Sequence, residues 1–284
     1  MTSGLDTIGR ESEIIFPFLG DLTLDPPASF SLFGREIYFY GVIVALAFLA
    51  ALLYAARTSK RFGIRADDVY DLMLFLLPLG ILGARCYYVL FRLDYYLQHP
   101  GEILALWEGG LAIYGGILAG ALTVFLFCKK KRISAFAMLD LVSLSCMLGQ
   151  AIGRWGNFFN REAFGAETEI FCRMGLTDAS GQILYVHPTF LYESLWNLLG
   201  FLLLNLWLRA GKRKYDGQCL LLYLVWYGCG RAGIEGLRTD SLMLGATGIR
   251  VSQALSILLA LFGIFMLIYQ NRKNRGSASA SEEE

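Results

Sequence analysis

The chain has 284 residues, of which 56% are hydrophobic and 17% are charged, well below the roughly 25% charged residues of a soluble domain. Its mean hydropathy of +0.50 means that it carries more apolar surface than one soluble core of this size buries. The composition therefore predicts a membrane protein. The net charge of +1 argues against a strongly basic, nucleic-acid-binding chain.

Residues 1–36 contain several acidic residues and three prolines where a signal peptide would have an apolar stretch, so we predict no cleaved signal. The six cysteines show no CxxC or His-paired spacing. This pattern argues against a metal site or a disulfide framework, and we expect neither a metal nor a cofactor.

Seven segments are long and apolar enough to cross roughly 30 Å of hydrocarbon as helices. They lie at 37–56, 70–91, 110–128, 134–155, 189–208, 217–236 and 250–270. The predicted fold is an all-α polytopic membrane protein, with a seven-helix catalytic domain over 37–270 and an N-terminal segment over 1–36. The polar loop at about 156–188, between helices four and five, is interpreted as a small subdomain. The low-complexity residues 271–284 predict a disordered tail.

Fifteen of the 25 basic residues lie in four clusters, which follow the first, third, fifth and seventh predicted spans. The clusters occupy 57–65, 129–132, 209–214 and 272–275. By the positive-inside rule, this side of the membrane is the cytoplasm. The N-terminus and the 156–188 loop are therefore predicted to be external and the tail cytoplasmic. The small-residue pairs Gly116/Gly120 and Gly149/Gly153 predict close helix packing and no chemistry.

Charge is expensive within a membrane, yet four arginines lie within or at the outer ends of predicted helices: Arg85, Arg154, Arg231 and Arg238. A single arginine at a helix end often extends to the interface, but four at similar depth indicate a shared anionic ligand. A guanidinium stays protonated and holds two phosphate oxygens through its planar fork. We predict a phospholipid headgroup site at the outer interface.

Polar side chains near these arginines are expected to bind the headgroup, orient the guanidinium groups or handle a proton. They are Asn157, Asn160, Glu162, Glu193 and Glu235, the last of which lies four residues after Arg231 and can pair with it on one helix face.

Two tyrosines and a histidine also lie at predicted outer helix ends. Tyr40 begins helix one, where an interfacial aromatic is common. Tyr114 lies in the glycine-rich run 109–116, whose glycines let a substrate approach the backbone. His187 precedes Pro188 and helix five, and it also fits an ordinary helix entry.

The run Gly-Arg-Trp-Gly-Asn-Phe-Phe-Asn-Arg-Glu-Ala-Phe-Gly, from Gly153 to Gly165, resembles the signature of the bacterial prolipoprotein diacylglyceryl transferases. Further similarity covers Phe39–Gly41, Gly83–Tyr88, Gly109–Gly116, His187–Glu193 and Ile234–Arg238. The resemblance implies a seven-helix enzyme of the bacterial cytoplasmic (inner) membrane. It further implies functional roles for Tyr40, Arg154, Asn157, Glu162, Gly165 and Arg238.

The reaction that the resemblance implies moves the diacylglyceryl group of phosphatidylglycerol to the lipobox cysteine of a prolipoprotein signal peptide. The products are a thioether and glycerol phosphate, and this is the first step of bacterial lipoprotein maturation. The cysteine thiolate would attack a glyceryl carbon while Arg154 and Arg238 stabilise the leaving phosphate, with the active site toward the outer leaflet. Some relatives have His where this chain has Tyr114, which leaves Tyr114, Glu162 or water as the proton acceptor.

Two other classes of function fit part of the pattern. A transporter for an anionic solute would also place arginines in a helix bundle, although transporters often show inverted repeats and interrupted helices, and no repeat is visible here. A lipid-binding scaffold would need the arginines but not the Asn157–Gly165 segment. Product formation from labelled phosphatidylglycerol and a lipobox peptide separates both from an enzyme.

Overall fold

The computed structural model describes residues 8–9, 12–178, 180–239, 243 and 249–280, with the side chains of Glu108 and 274–280 outside the description. Its described part is mostly helical. The helices are α1 (Phe39–Thr58), α2 (Ala66–Leu90), α3 (Leu93–Gln98), α4 (Ile113–Lys131), α5 (Ala135–Asn160), α6 (Thr189–Arg209), α7 (Gln218–Glu235) and α8 (Val251–Ala280). All except the short α3 coincide with segments that the sequence predicts as spans.

Six of the helices in the described ranges are long and apolar enough to cross a membrane: α1, α2, α4, α5, α6 and α8. This finding supports a polytopic membrane protein, with six candidate spans where the sequence predicts seven. The remaining segment, α7, is helical, but its 18 residues span only about 27 Å, and they include Arg231 and Glu235. At the end of the chain, α8 continues through residues 271–280, which the sequence analysis assigned to the tail.

Six short strands correct the all-α expectation. They are β1 (Ile14–Phe16), β2 (Leu22–Leu24), β3 (Ser29–Leu32), β4 (Arg35–Tyr38), β5 (Met174–Thr177) and β6 (Ile183–Val186). An antiparallel sheet has the order β2-β1-β5-β6, with Ile14 opposite Leu176, and β3 pairs with β4 in a separate hairpin. The loop between α5 and α6 therefore forms its subdomain jointly with the N-terminal segment.

The chain divides into two compact units. The second unit, residues 52–142, is organised by α2 packed against α4. Their backbones meet at Gly83 and Gly115, where a Cβ on Gly83 would lie 2.8 Å from the Gly115 carbonyl oxygen. Gly116 and Gly120 also face α2, which confirms the predicted packing of this pair.

The first unit comprises residues 1–51 and 143–284. Gly149 of α5 contacts α1 at Ala47, whereas nothing in the described chain lies close to Gly153, so the predicted packing role holds for one member of that pair. The helices α6 and α7 are joined by two tryptophans. The Trp196 and Trp226 rings stack at 4.4 Å, and each indole N–H donates to the other residue's carbonyl, at 3.0 and 2.9 Å.

A small apolar core joins the four-stranded sheet to the adjoining ends of α5 and α6. Its buried side chains are Ile14, Phe16, Phe158, Met174, Leu176, Val186 and Phe190. Phe158 belongs to α5 and lies within the signature run, and Phe190 belongs to the first turn of α6. This core therefore holds the sheet against the signature and against the start of α6.

Candidate active site

Glu193 is the centre of the polar cluster in the first unit. Its carboxylate is buried, and its Oε2 lies 2.6 Å from Arg154 Nη2. Its Oε1 lies 2.7 Å from Arg231 Nη1 and 3.6 Å from Arg238 Nη1. One carboxylate thus brings together three of the four arginines that the sequence singles out, from α5, α7 and the residues after α7. We call these four residues the Glu193 cluster.

A second carboxylate completes the pairing. Glu235 Oε2 lies 2.5 Å from Arg231 Nη2, which confirms the predicted i,i+4 pair on α7. The Glu235 carbonyl accepts a hydrogen bond from Arg250 Nη1, a contact that the sequence analysis did not anticipate. Three guanidinium groups against Glu193 and Glu235 leave the group with a net positive charge, which suits an anionic ligand.

The polar run at the end of α5 forms a chain of hydrogen bonds from this cluster. Arg154 Nη1 donates to Asn157 Oδ1 at 3.3 Å, and Asn157 Nδ2 donates to Glu162 Oε1 at 2.9 Å. Glu162 is exposed, so it can exchange a proton with solvent or substrate. Asn160 Oδ1 is buried and has no hydrogen-bond partner among the described atoms.

Gly165 works through the backbone. Its amide donates to the His187 carbonyl at 2.9 Å, and it forms a β-bridge with Arg238. A Cβ at this position would lie 2.7 Å from the His187 Cβ and 2.8 Å from the Leu237 carbonyl oxygen. Only glycine fits, and this close approach fixes the backbone that carries Arg238. The contacts give Gly165 a positioning role, and its predicted contact with phospholipid stays a prediction.

Arg161 is a structural residue that sequence reasoning did not identify. Its backbone has a left-handed φ of 49°, and its buried guanidinium donates to Ser12 O, Phe159 O and Asp25 Oδ1 at 3.0, 2.8 and 2.9 Å. Burial lowers the pKa of Arg161, whereas Asp25 raises it. These bonds tie the N-terminal segment to the signature, next to Ala163, which also has a positive φ.

His187 takes no part in the ion pairs of the Glu193 cluster that the structure describes. Its backbone contacts Gly165, which in turn pairs with Arg238. The His187 Nδ1 is 3.4 Å from the Tyr192 hydroxyl, which is 3.5 Å from Cys172 Sγ. Burial lowers the pKa of His187, which favours the neutral imidazole. His187, Tyr192 and Cys172 thus form a short row of polar contacts, and the supporting role of His187 stays a prediction.

Tyr40 lies on the first turn of α1 and packs on the backbone of α5. A Cβ on Gly156 would lie 2.8 Å from Tyr40 Cδ2, so the ring needs glycine at that position. The ring stays partly exposed, and the glycine that it contacts lies two residues after Arg154 in α5. Tyr40 therefore remains available to a ligand near the end of α5.

Arg85 and Tyr114 belong to the second unit. Arg85 is buried, and four of its five N–H donors bond carbonyls, at 2.8 Å to Ile103, 2.7 Å to Gly109, 3.1 Å to Gly110 and 2.6 Å to Glu102. These bonds fold the loop between α2 and α4 and explain the burial of Arg85 without a phosphate. The headgroup role of Arg85 stays a prediction.

Tyr114 is the second residue of α4 and is half-buried. In the part of the chain that the structure describes, its hydroxyl makes no hydrogen bond. The neighbouring Gly115 packs on the Gly83 backbone, which fixes where the tyrosine emerges from the helix.

The sequence matches a known protein family over most of its length. The family model of the prolipoprotein diacylglyceryl transferases matches residues 27–269. The chain belongs to the prolipoprotein diacylglyceryl transferase family. The family and the transferase class that the sequence predicts are thereby confirmed.

Individual relatives agree with this family assignment. A phosphatidylglycerol–prolipoprotein diacylglyceryl transferase of Streptococcus equi subsp. zooepidemicus (strain MGCS10565) is 44% identical over 254 residues, covering 87% of this chain and 96% of the relative. One from Streptococcus pneumoniae (strain Hungary19A-6) is 45% identical over 263 residues, covering 90% and 98%. The prolipoprotein diacylglyceryl transferase signature is the segment that carries Arg154, Asn157 and Glu162 of the site.

Proposed function

We propose that this chain transfers the diacylglyceryl group of phosphatidylglycerol to the lipobox cysteine of a prolipoprotein signal peptide. The Glu193 cluster is the observation that supports this reaction most strongly. It gathers three permanently charged guanidinium groups within reach of one buried carboxylate and retains a net positive charge. Such a site favours a phosphate ester whose negative charge increases during the reaction.

The chemistry balances without a cofactor. The cysteine thiolate attacks the glyceryl carbon that carries the phosphate ester. A C–S bond forms, and the bond between that carbon and the ester oxygen breaks, while the oxygen stays bonded to phosphorus. The electron pair of that bond leaves with glycerol phosphate. The negative charge of the thiolate thus appears on the phosphate, which changes from a singly charged diester to a monoester with a second ionisable oxygen.

Each residue of the cluster has a distinct role in this proposal. Arg154 and Arg238 contact the leaving phosphate, and Arg231 holds Glu193 and Glu235 in place. Asn157, Asn160 and Tyr40 contact the headgroup. The thiol proton passes to Glu162, Tyr114 or water, among which Glu162 is linked to Arg154 through Asn157.

We also propose the membrane arrangement in its finer form. The chain lies in the bacterial cytoplasmic membrane with seven spans, which are the six long apolar helices and α7. The helices α6 and α8 pack against α7 and shield its polar residues from the lipid. The N-terminus and the sheet subdomain are external, the tail is cytoplasmic, and the site opens toward the outer leaflet. The basic clusters at the ends of α1, α4 and α6 and in the last part of α8 support this orientation.

Thiol labelling of intact cells tests the orientation. An external, membrane-impermeant maleimide should modify Ser180→Cys in the sheet subdomain and should spare Asn271→Cys after the last span, both compared with the unmodified chain. Labelling of Asn271→Cys but not Ser180→Cys would reverse the proposed topology.

The reaction is tested with purified protein, phosphatidylglycerol labelled in its acyl chains and a lipobox peptide, with a peptide carrying serine in place of the cysteine as control. We expect the label on the cysteine peptide as a thioether, with one glycerol phosphate released per peptide. Lipid binding without thioether formation would support a scaffold, and movement of an anionic solute across vesicles without chemistry would support a transporter.

A further inference from the structure

An apolar groove runs along three helices of the first unit and passes the depth of the Glu193 cluster. It has a cavity volume of about 370 Å³. Residues of α1, α5 and α6 line it: Ile43, Leu46, Leu148, Ala151, Ile152, Trp155, Phe159, Ser194 and Leu198. Leu46 is 55% exposed and Leu198 is 39% exposed, so the groove opens toward the surface that faces the bilayer.

Part of the groove lies at the level of the cluster. Phe159 is the outermost lining residue on α5, and below it Trp155 and Ser194 each directly follow a cluster residue, Arg154 or Glu193, in their helices. Successive helical residues differ by 1.5 Å along the axis, so this part of the groove lies at the height of the proposed phosphate site.

From there the groove extends inward along all three helices. Leu148 lies seven residues before Trp155 on α5, or roughly 10 Å deeper, and Leu198 lies four residues beyond Ser194 on α6. The groove therefore connects the headgroup level with the apolar interior of the membrane.

The lining offers hydrocarbon but no free polar group. The Ser194 hydroxyl donates to the Ala151 carbonyl at 2.7 Å and accepts from Trp155 Nε1 at 3.2 Å. The Trp155 ring is held edge-on by Phe158 and Phe190, at 5.9 and 5.6 Å. With these polar atoms paired, the wall suits an apolar chain.

We propose that this groove holds one acyl chain of the phosphatidylglycerol donor and sets the enzyme's chain-length preference, with Leu148 closing its inner end. The inference rests on the proposed function, because the phosphate at the Glu193 cluster fixes where the chain begins. Contact with a fixed wall, rather than transfer out of water, is what selects the chain, since the bilayer is itself apolar.

Chain-length competition tests the groove. The probes are dioleoyl and dihexanoyl phosphatidylglycerol in the same detergent, and the variant is Leu148→Trp, which fills the inner end. We expect kcat/KM for the dioleoyl lipid to fall by at least about tenfold, because a displaced long chain moves the glyceryl carbon from its reactive position. The dihexanoyl lipid should react at close to the parental rate, which also shows that the variant is folded.

Two further variants complete the design. Leu148→Ala should widen the preference toward long chains, and Leu203→Trp, on the exposed face of α6 outside the groove, should change neither lipid. An unchanged ratio of the two lipids in Leu148→Trp would overturn the proposal, as would a higher KM for the peptide with no change in that ratio. Failure of the parent to transfer either lipid would instead contradict the proposed function itself.

Discussion

Replacement of Glu193 by glutamine should be the most damaging conservative change in the first unit. Gln keeps the shape of the side chain and removes the negative charge that three arginines share. The side chain is only 5% exposed, and its oxygens lie 2.6 and 2.7 Å from Arg154 and Arg231. Water therefore cannot replace the lost charge.

The magnitude follows from this burial. Removing one partner of a buried ion pair costs about 3–5 kcal/mol, because the remaining charge is left uncompensated. In Glu193→Gln the cluster itself keeps no carboxylate and Glu235 pairs with Arg231, so the three guanidinium groups repel one another and separate. A displacement of about 1 Å of the catalytic groups lowers the rate by about 10²-fold.

Transfer to a lipobox peptide and denaturant unfolding in micelles measure the two effects. Glu193→Asp keeps the charge on a shorter side chain and should recover part of the stability. Glu169→Gln, in the exposed loop, is the matched control and should behave as the parent. Parental activity and an unchanged unfolding midpoint in Glu193→Gln would refute the central position of this carboxylate.

Three further substitutions test separate groups. Arg238→Lys should lose most of its activity because Lys offers no two-oxygen fork. By contrast, the Arg173 guanidinium lies over the Tyr185 ring of β6, so Arg173→Lys should be nearly silent; equal rates in both variants would remove Arg238 from the leaving-group role. Tyr114→Phe should lower turnover by about 10²-fold if the hydroxyl takes part in proton transfer, and Tyr114→His should restore part of it with a shifted pH–rate profile; near-parental turnover of Tyr114→Phe would leave Glu162 or water as the acceptor. Burial lowers the pKa of His187 in the folded protein, so protonation favours the unfolded chain. The stability that His187 contributes is therefore present above its unfolded pKa of about 6.5 and declines as the pH falls through that value. His187→Gln should flatten this decline, and an identical pH dependence in the variant would contradict it.

The helices were predictable because their signal is long. Apolar runs of 18 residues or more place α1, α2, α4, α5 and α6 within about five residues of their observed bounds, and they also place the start of α8, which continues beyond its predicted end. The strands were not predictable, since β1 and β2 have three residues each and cannot display a period of two. Moreover, β1 pairs with β5, about 160 residues away, so no local pattern announces the sheet.

The candidate site divides in the same way. The pair of Arg231 and Glu235 followed from helical spacing, and the structure adds that Glu193 also holds Arg154 and Arg238. The carbonyl bonds of Arg85 were not predictable, because a sequence does not reveal which backbone groups a buried arginine will bind. One signal was present: Gly110 lies where a Cβ would approach Arg85 Nη1 to 2.5 Å, so the glycine run makes room for this arginine.

The single-turnover rate of Arg154→Gln at saturating phosphatidylglycerol tests most directly whether the Glu193 cluster stabilises the leaving phosphate. The second negative charge exists only as the C–O bond breaks, so the chemical step should slow by at least about 10²-fold while lipid affinity falls much less. A large loss of lipid affinity with an unchanged chemical step would show that Arg154 only binds the donor, and it would contradict the proposed mechanism.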